Sequence, residues 1–241
     1  SVPEGASRGV HEAVSIEPER AIEMIAGEMN EALRGVEAGD QRGFDTRLAE
    51  LDGTDTKERL GANSVLAASL CYARLSADSA GQELWQYVRD LTAVPENTGG
   101  LRLYINMIEG GVHAGSGLRF QEYLVIPETD DVSQAINASV RFYEALGDHL
   151  ERAGDARARN LGFEGGYTPD FERDMAPLAV FEEVADTISD GVTFSYGIDA
   201  AGSNVEATPE ELSEVYADSA DTHSLSYLED PFHEEDFASH A

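Results

Sequence analysis

Apolar positions in the first hundred residues recur at helical spacing. Ile22, Ile25, Met29 and Leu33 fall three or four apart. Pro18 heads this run, where a fixed φ and a missing N–H suit the first turn of a helix. A second face runs through Val65, Leu66, Ser69, Leu70 and Ala73. The pattern predicts two to four packed helices. Asn97-Thr98-Gly99-Gly100 is a turn-rich break, so a domain boundary is expected there, dividing the chain into 1–98 and 99–241.

Beyond the break the period changes. Residues 103–108 and 123–127 read as strands, and Ile136, Val140, Tyr143 and Leu150 are expected to line one face of a helix. A further helix is expected over about 177–189 and a strand over 193–199, which is rich in β-forming residues. Thr208-Pro209-Glu210-Glu211 has the signature of a capping box with proline at the first helical position, and 224–228 reads as another strand. Strands alternating with helices favour a parallel sheet or a barrel. A complete eight-stranded βα barrel takes roughly 250 residues, more than remain after Gly99. The expected fold class is therefore α/β, a partial βα barrel preceded by a mostly helical unit.

Charge narrows the function. Asp plus Glu number 47 against 16 Lys plus Arg in 241 residues, a net charge of −31. Phosphate backbones need Lys and Arg to displace counterions, so nucleic acid is excluded as a partner. Lys57 is the only lysine. An evenly acidic, lysine-poor surface suits solvation at very high salt, where screening removes most self-repulsion. Unfolding in molar potassium chloride, with structure kept in dilute buffer, would contradict that expectation. Hydrophobic residues at 41% suffice for a packed core. No apolar run approaches the roughly 20 residues that span a bilayer and no signal segment opens the chain, so a soluble, cytoplasmic protein is expected. Cys71 lies in a helical pattern and is expected to be a small buried hydrophobe.

Candidate chemistry gathers where the predicted strands end. Glu122, Glu164, Asp199 and Glu229 stand at such positions, and the carboxyl ends of barrel strands converge on one face. Taken singly, each acid is as well explained as a solvated turn. Together and in order they read as a metal-assisted site. Gly110-Gly111-Val112-His113-Ala114-Gly115 supplies an imidazole, and residues 113–121 can fold over a pocket as far as the pair Gln121-Glu122. Strand alternation lets only one of that pair face inward unless the strand end twists or bulges. Glycines flank Glu164 in Gly162-Phe163-Glu164-Gly165-Gly166, which lets backbone approach a ligand closely. Asp199 and Glu229 offer oxygen ligands of the kind magnesium prefers. Gly115-Ser116-Gly117 lacks the third glycine and the following helix of a dinucleotide-binding turn.

The order and wording of these motifs resemble the enolase family. Residues 1–12, Ser-Val-Pro-Glu-Gly-Ala-Ser-Arg-Gly-Val-His-Glu, are similar to its mobile active-site loop. Asp52-Gly53-Thr54 and Leu60-Gly61-Ala62-Asn63-Ser64 are similar to its cap-domain signature. Asn106 through Ala114, Gln121-Glu122-Tyr123, residues 162–169, Ile198-Asp199 and Glu229-Asp230-Pro231-Phe232 follow in the family's order. The resemblance implies an α+β cap followed by an enolase-type barrel that dehydrates 2-phosphoglycerate to phosphoenolpyruvate with two magnesium ions. It implies that Asp199 and Glu229 bind the tighter ion and that Ser7 closes over the second. Glu164 would be the general acid, supported by Glu122, with His113 and Gln121 beside the substrate. It also implies a homo-oligomer at full length. With the acidic composition, it points to a halophilic archaeon.

The family's base is a lysine, and Lys57 falls in the helical part. Base and third metal carboxylate are expected beyond Ala241, which makes the chain an internal fragment, inactive alone. Glu4, Arg8, Glu109 and Phe163 depart from the family's pattern, with asparagine usual at 109 and an acid at 163. They motivate an alternative, a catalytically silent enolase-like binding protein. A relative of muconate cycloisomerases or mandelate racemases would need lysines on an early barrel strand, and this region has none.

Overall fold

A computed structural model describes residues 9–92, 100–155, 157–188 and 191–241. The chain divides into two compact units, Ser1–Thr98 and Gly99–Ala241.

The described part of the first unit is helical. A continuous helical run comprises α1 (Pro18–Met24), a π turn (Ile25–Met29) and α2 (Asn30–Leu33). It is followed by α3 (Gln41–Asp52), α4 (Ala62–Ser79) and α5 (Leu84–Thr92). Asp40 caps α3 by accepting the Gly43 N–H at 2.9 Å, and Gly53 ends it at φ 71°. The core joins Met29, Leu48 and Leu60 to Phe44 and Tyr72, whose rings stack at 3.9 Å.

The helical period is as the sequence predicts, but the inward face is not. Met29 is buried, whereas Ile22, Ile25 and Leu70 are exposed. The wider step of the π turn resets the phase of the first run, and α4 keeps the expected Ala73 inward but joins it with Tyr72, Ser76 and Ala77. Cys71, expected to be buried, is exposed on the wall of an apolar groove of about 650 Å³ with Ile25, Leu33 and Leu75. Lys57 adopts φ 60°, and its Nζ donates to the carbonyls of Thr54 and Asp55.

The second unit carries a four-stranded sheet in the order β1 (Ile105–Glu109), β2 (Glu122–Pro127), β3 (Phe194–Asp199) and β4 (Leu225–Glu229). Between the strands lie α6 (Gly111–Ala114), α7 (Val132–Arg152), α8 (Ala176–Ala185) and α9 (Pro209–Thr222). Among the described residues the sheet stays open, with β1 and β4 at its edges. This is a partial α/β barrel.

Strand direction corrects the parallel sheet that the alternation suggested. β1 pairs with β2 and β2 with β3 antiparallel, while β3 and β4 are parallel. The connections explain why. Only a four-residue helix separates β1 from β2, so the chain turns back without a crossover. Two helices separate β2 from β3, which returns the chain to the end it left. One helix, α9, separates β3 from β4 and gives the parallel crossover. Its start is the predicted capping box, in which Thr208 and Glu211 each bond the other's backbone.

The unit's core lies between the sheet and its helices. Phe142 is fully buried, its ring 5.6 Å from Phe181 and 5.0 Å from Phe194, both edge-on. Deleting such a ring costs roughly 3–5 kcal/mol. Here the helix is as expected and its face only in part, since Leu150 is buried and Tyr143 packs against the core. Ala135, Ala138, Phe142, Leu146 and Leu150 of α7 are buried, while Ile136 and Val140 face out. The small alanines let α7 approach the sheet.

Candidate acidic site at one edge of the barrel sheet

Strand register aligns four acids. Glu109 pairs with Glu122, Glu122 with Asp199, and Asp199 with Glu229. Glu109, Asp199 and Glu229 close their strands, but Glu122 opens β2 and does not end a strand as the sequence suggested. The reversed direction of β2 brings its first residue level with the others' last. Glu164 is not at a strand end either. It sits in a turn at 162–166 that is tied to β1 by Tyr167, whose N–H donates to Met107 O at 2.9 Å and whose O accepts the Glu109 N–H at 2.8 Å.

Glu164 faces the row. Asn106 Nδ2 donates to its Oε2 at 3.3 Å, and its Oε1 lies 4.0 Å from His113 Nδ1. Its carboxyl and that of Glu122 bring oxygens within 4.8 Å of each other. The Glu164 side chain is 47% exposed, so the pair has one member set in the sheet and one open to a ligand.

His113 is held on α6 with its side chain 2% exposed. Gly110, just before α6, must be glycine, because a Cβ there would overlap the Phe120 carbonyl. Arg157 ties the far end of α6 by donating to the carbonyls of Ala114 at 2.9 Å and Gly115 at 3.2 Å. Among the described residues, neither ring nitrogen of His113 has a hydrogen-bond partner. A buried imidazole left unbonded is costly, and its ring stands beside the two glutamates. His113, Glu122 and Glu164 each bring one ligand atom within 4.8 Å of the others. Phe163 is 78% exposed and meets the His113 ring edge-on at 5.9 Å.

Both members of the Gln121-Glu122 pair reach the site, because Gln121 lies just outside the strand. Gln121 Nε2 donates to Asp199 Oδ2 at 3.3 Å, and the Ala201 N–H donates to Asp199 Oδ1 at 3.0 Å. Glu229 is exposed and accepts the Tyr227 hydroxyl at 2.9 Å. Ser7 lies outside the described residues. Tyr227 carries no sequence signal that marks it as a site residue, and Asn106 is marked only as the head of the motif that runs to Ala114. Glu109 did carry one, an acid directly before the glycine pair.

Crowded carboxylates shift one another. Burial pushes the Glu122 carboxyl up to about 8, helped by the nearby carboxyl of Glu164 and the charges of Asp199 and Glu229. Asp199 is pushed up to about 6, again by burial first; the Ala201 N–H opposes the rise, and Glu229, Asp230 and Glu164 add to it. The sign follows. Both groups hold protons in the folded state that the unfolded chain releases at its ordinary values of 4.5 and 3.8. Stability without metal therefore falls as pH rises from about 4 to about 8. Discounted for partial exposure, the loss is on the order of 1–2 kcal/mol, a few degrees of melting temperature. Thermal melts in chelator at pH 5.5 and 8.5 should show it, and Glu122→Gln should shrink the difference. Equal shrinkage on replacing an acid remote from the row would refute this origin.

The arrangement is an α/β barrel sheet that presents a row of acids and a buried histidine at one end of its strands. Comparison with known proteins gives it a family. The family model "Enolase, N-terminal domain" matches residues 1–88, and "Enolase, C-terminal TIM barrel domain" matches residues 103–206. The enolase of Methanopyrus kandleri is 34% identical over 266 residues, covering 98% of this chain and 60% of its own length. That of Methanococcoides burtonii is 34% identical over 266 residues, and that of Sulfolobus acidocaldarius 33% over 257, with the same coverage. The chain belongs to the enolase family. It spans about 60% of the length of the curated relatives it matches. Among the described residues, no helix is long and apolar enough to cross a membrane.

Proposed function

We propose that the full-length protein is a lyase that dehydrates 2-phosphoglycerate to phosphoenolpyruvate. The observation that carries this reading is the close pair of carboxyls Glu122 and Glu164, with Glu122 level with Asp199 and Glu229 across one end of the sheet's strands, in an enolase-family chain. The reaction removes a proton from C2 and expels the C3 hydroxyl as water, so the leaving oxygen needs a proton. Glu164, the open member of the pair, delivers it, and Glu122 resupplies it. A carboxyl held up near 8 carries that proton at neutral pH. His113 and Gln121 stand beside the substrate. The C2 proton goes to a base outside this segment, because Lys57 is tied to Thr54 and Asp55 in the helical unit.

Magnesium fits the residues present. Asp199 and Glu229 are register partners with oxygen donors only, as a hard divalent ion requires. Burial first, then the charges of Glu229, Asp230 and Glu164, push the Asp199 carboxyl up to about 6, an environment in which a cation would favour the ionised form. Asp199 and Glu229 would hold one ion, with Ser7 assigned to the second. When bound, such ions stabilise negative charge developing on the substrate carboxylate. They also offset the field of a chain of net charge −31, which repels a phosphorylated acid. Cytoplasmic residence, a high-salt setting and homo-oligomeric assembly belong to the same reading; light scattering of the full-length protein in molar salt tests the last.

The reading is tested by supplying the purified full-length protein with 2-phosphoglycerate and magnesium and following the ultraviolet absorbance of phosphoenolpyruvate. No product above a protein-free blank would sink it.

A further inference from the structure

Glu109 departs from the family's pattern, and none of the roles above uses it. Its side chain is wholly buried, a costly place for a carboxylate, and its Oε2 has no hydrogen-bond partner among the described residues, so its hold on the protein runs through the other oxygen. Its Oε1 accepts two backbone N–H groups, from Glu164 at 3.1 Å and from Gly166 at 2.7 Å. The 162–166 turn is thus folded round the head of this side chain. The glycines of the turn fit that arrangement. A Cβ on Gly162 would overlap the Glu109 carboxylate, and one on Gly166 would lie 3.0 Å from Glu109 Cγ and 2.9 Å from Asn106 Oδ1.

A bulge in β1 makes the grip two-handed. Against the single step from Leu124 to Tyr123 on β2, β1 advances two residues, from Asn106 to Ile108. Residues three apart, such as 106 and 109, face opposite sides of a regular strand, and the inserted residue removes that opposition. Both side chains accordingly reach the same turn. Asn106 bonds the Glu164 carboxylate and Glu109 bonds the backbone that carries it.

We propose that Glu109 is a positioning residue, which through the N–H groups of Glu164 and Gly166 sets the Glu164 carboxylate against Glu122 and His113. The inference deepens the proposed function, and its activity readout rests on the role given there to Glu164. Its exchange readout does not.

The experiment compares wild type, Glu109→Ala and Glu109→Gln in the full-length protein by backbone amide exchange and by turnover of 2-phosphoglycerate. In Glu109→Ala, exchange over residues 162–167 should quicken by about tenfold or more, as expected when buried N–H groups lose their acceptor, with the helices at 132–152 and 176–185 unchanged. Turnover at saturation should fall by about tenfold or more while KM stays within about threefold, because the binding groups are left in place. Glu109→Gln keeps a carbonyl acceptor and should lie between, with exchange a few-fold faster in the turn alone, since a neutral acceptor bonds about half as strongly. Exchange in the turn as slow in Glu109→Ala as in wild type would overturn the assignment. If that variant does not fold, an unchanged or uniformly raised exchange in Glu109→Gln would do so. A wild-type protein that forms no phosphoenolpyruvate removes the reading of the site, and the exchange result still decides on Glu109.

Discussion

Glu164→Gln in the full-length protein is expected to lower phosphoenolpyruvate formation by about 10²–10⁴-fold, the range over which a positioned acid contributes to catalysis. The substitution keeps the size of the side chain and the turn that carries it, since Glu109 bonds the backbone there and not the carboxylate. It removes the one group of the close carboxyl pair that is open to a ligand. Its half-buried partner, Glu122, stays set in the sheet level with Asp199. KM should change far less than turnover, because a group that acts on the leaving oxygen is used in the transition state and little in the ground state. Turnover at the wild-type rate would refute the role given to Glu164, and an unchanged melting temperature would exclude loss of fold as the cause.

Asp199→Asn should raise the magnesium concentration needed for half-maximal turnover by about 100-fold or more, since even partners behind a metal's direct ligands are worth 10–100-fold. Asn retains the shape and can still accept the Ala201 N–H on its carbonyl oxygen. It removes a full charge from a place where burial and three acids already crowd it. Calorimetric titration of magnesium into the two proteins separates affinity from turnover. An unchanged affinity would take Asp199 out of the ion's coordination. The same substitution should lower the proton affinity of Glu122, to whose rise Asp199 contributes, and so flatten the fall of metal-free stability with pH.

Much of the barrel unit was legible because its signals are local. The capping box at Thr208, the strands at 193–199 and 224–228, and the helix through 136–150 follow from turn chemistry and period alone. Faces and directions were not, because they depend on partners distant in sequence. Ile136 and Val140 are as apolar as any core residue, yet the alanines beside them allow closer packing. Glu122 was legible as a site residue and misread as a strand end, since only pairing with β1 and β3 reveals which way β2 runs. The departure at Glu109 looked like a defect in the sequence; in the structure the carboxylate has two donors waiting. Phe163 lies open to solvent with its ring against His113, so the acid it replaces is missing from the rim and not from the row.

The extra residue in β1 also sets a tolerance for length. Deleting Met107 would leave Asn106 and Glu109 two residues apart on a regular strand and so on one side still; what it would remove is a wholly buried core side chain and the carbonyl that accepts the Tyr167 N–H. A residue inserted between them that the bulge does not absorb would, by contrast, carry the two holds on the turn to opposite sides of the strand.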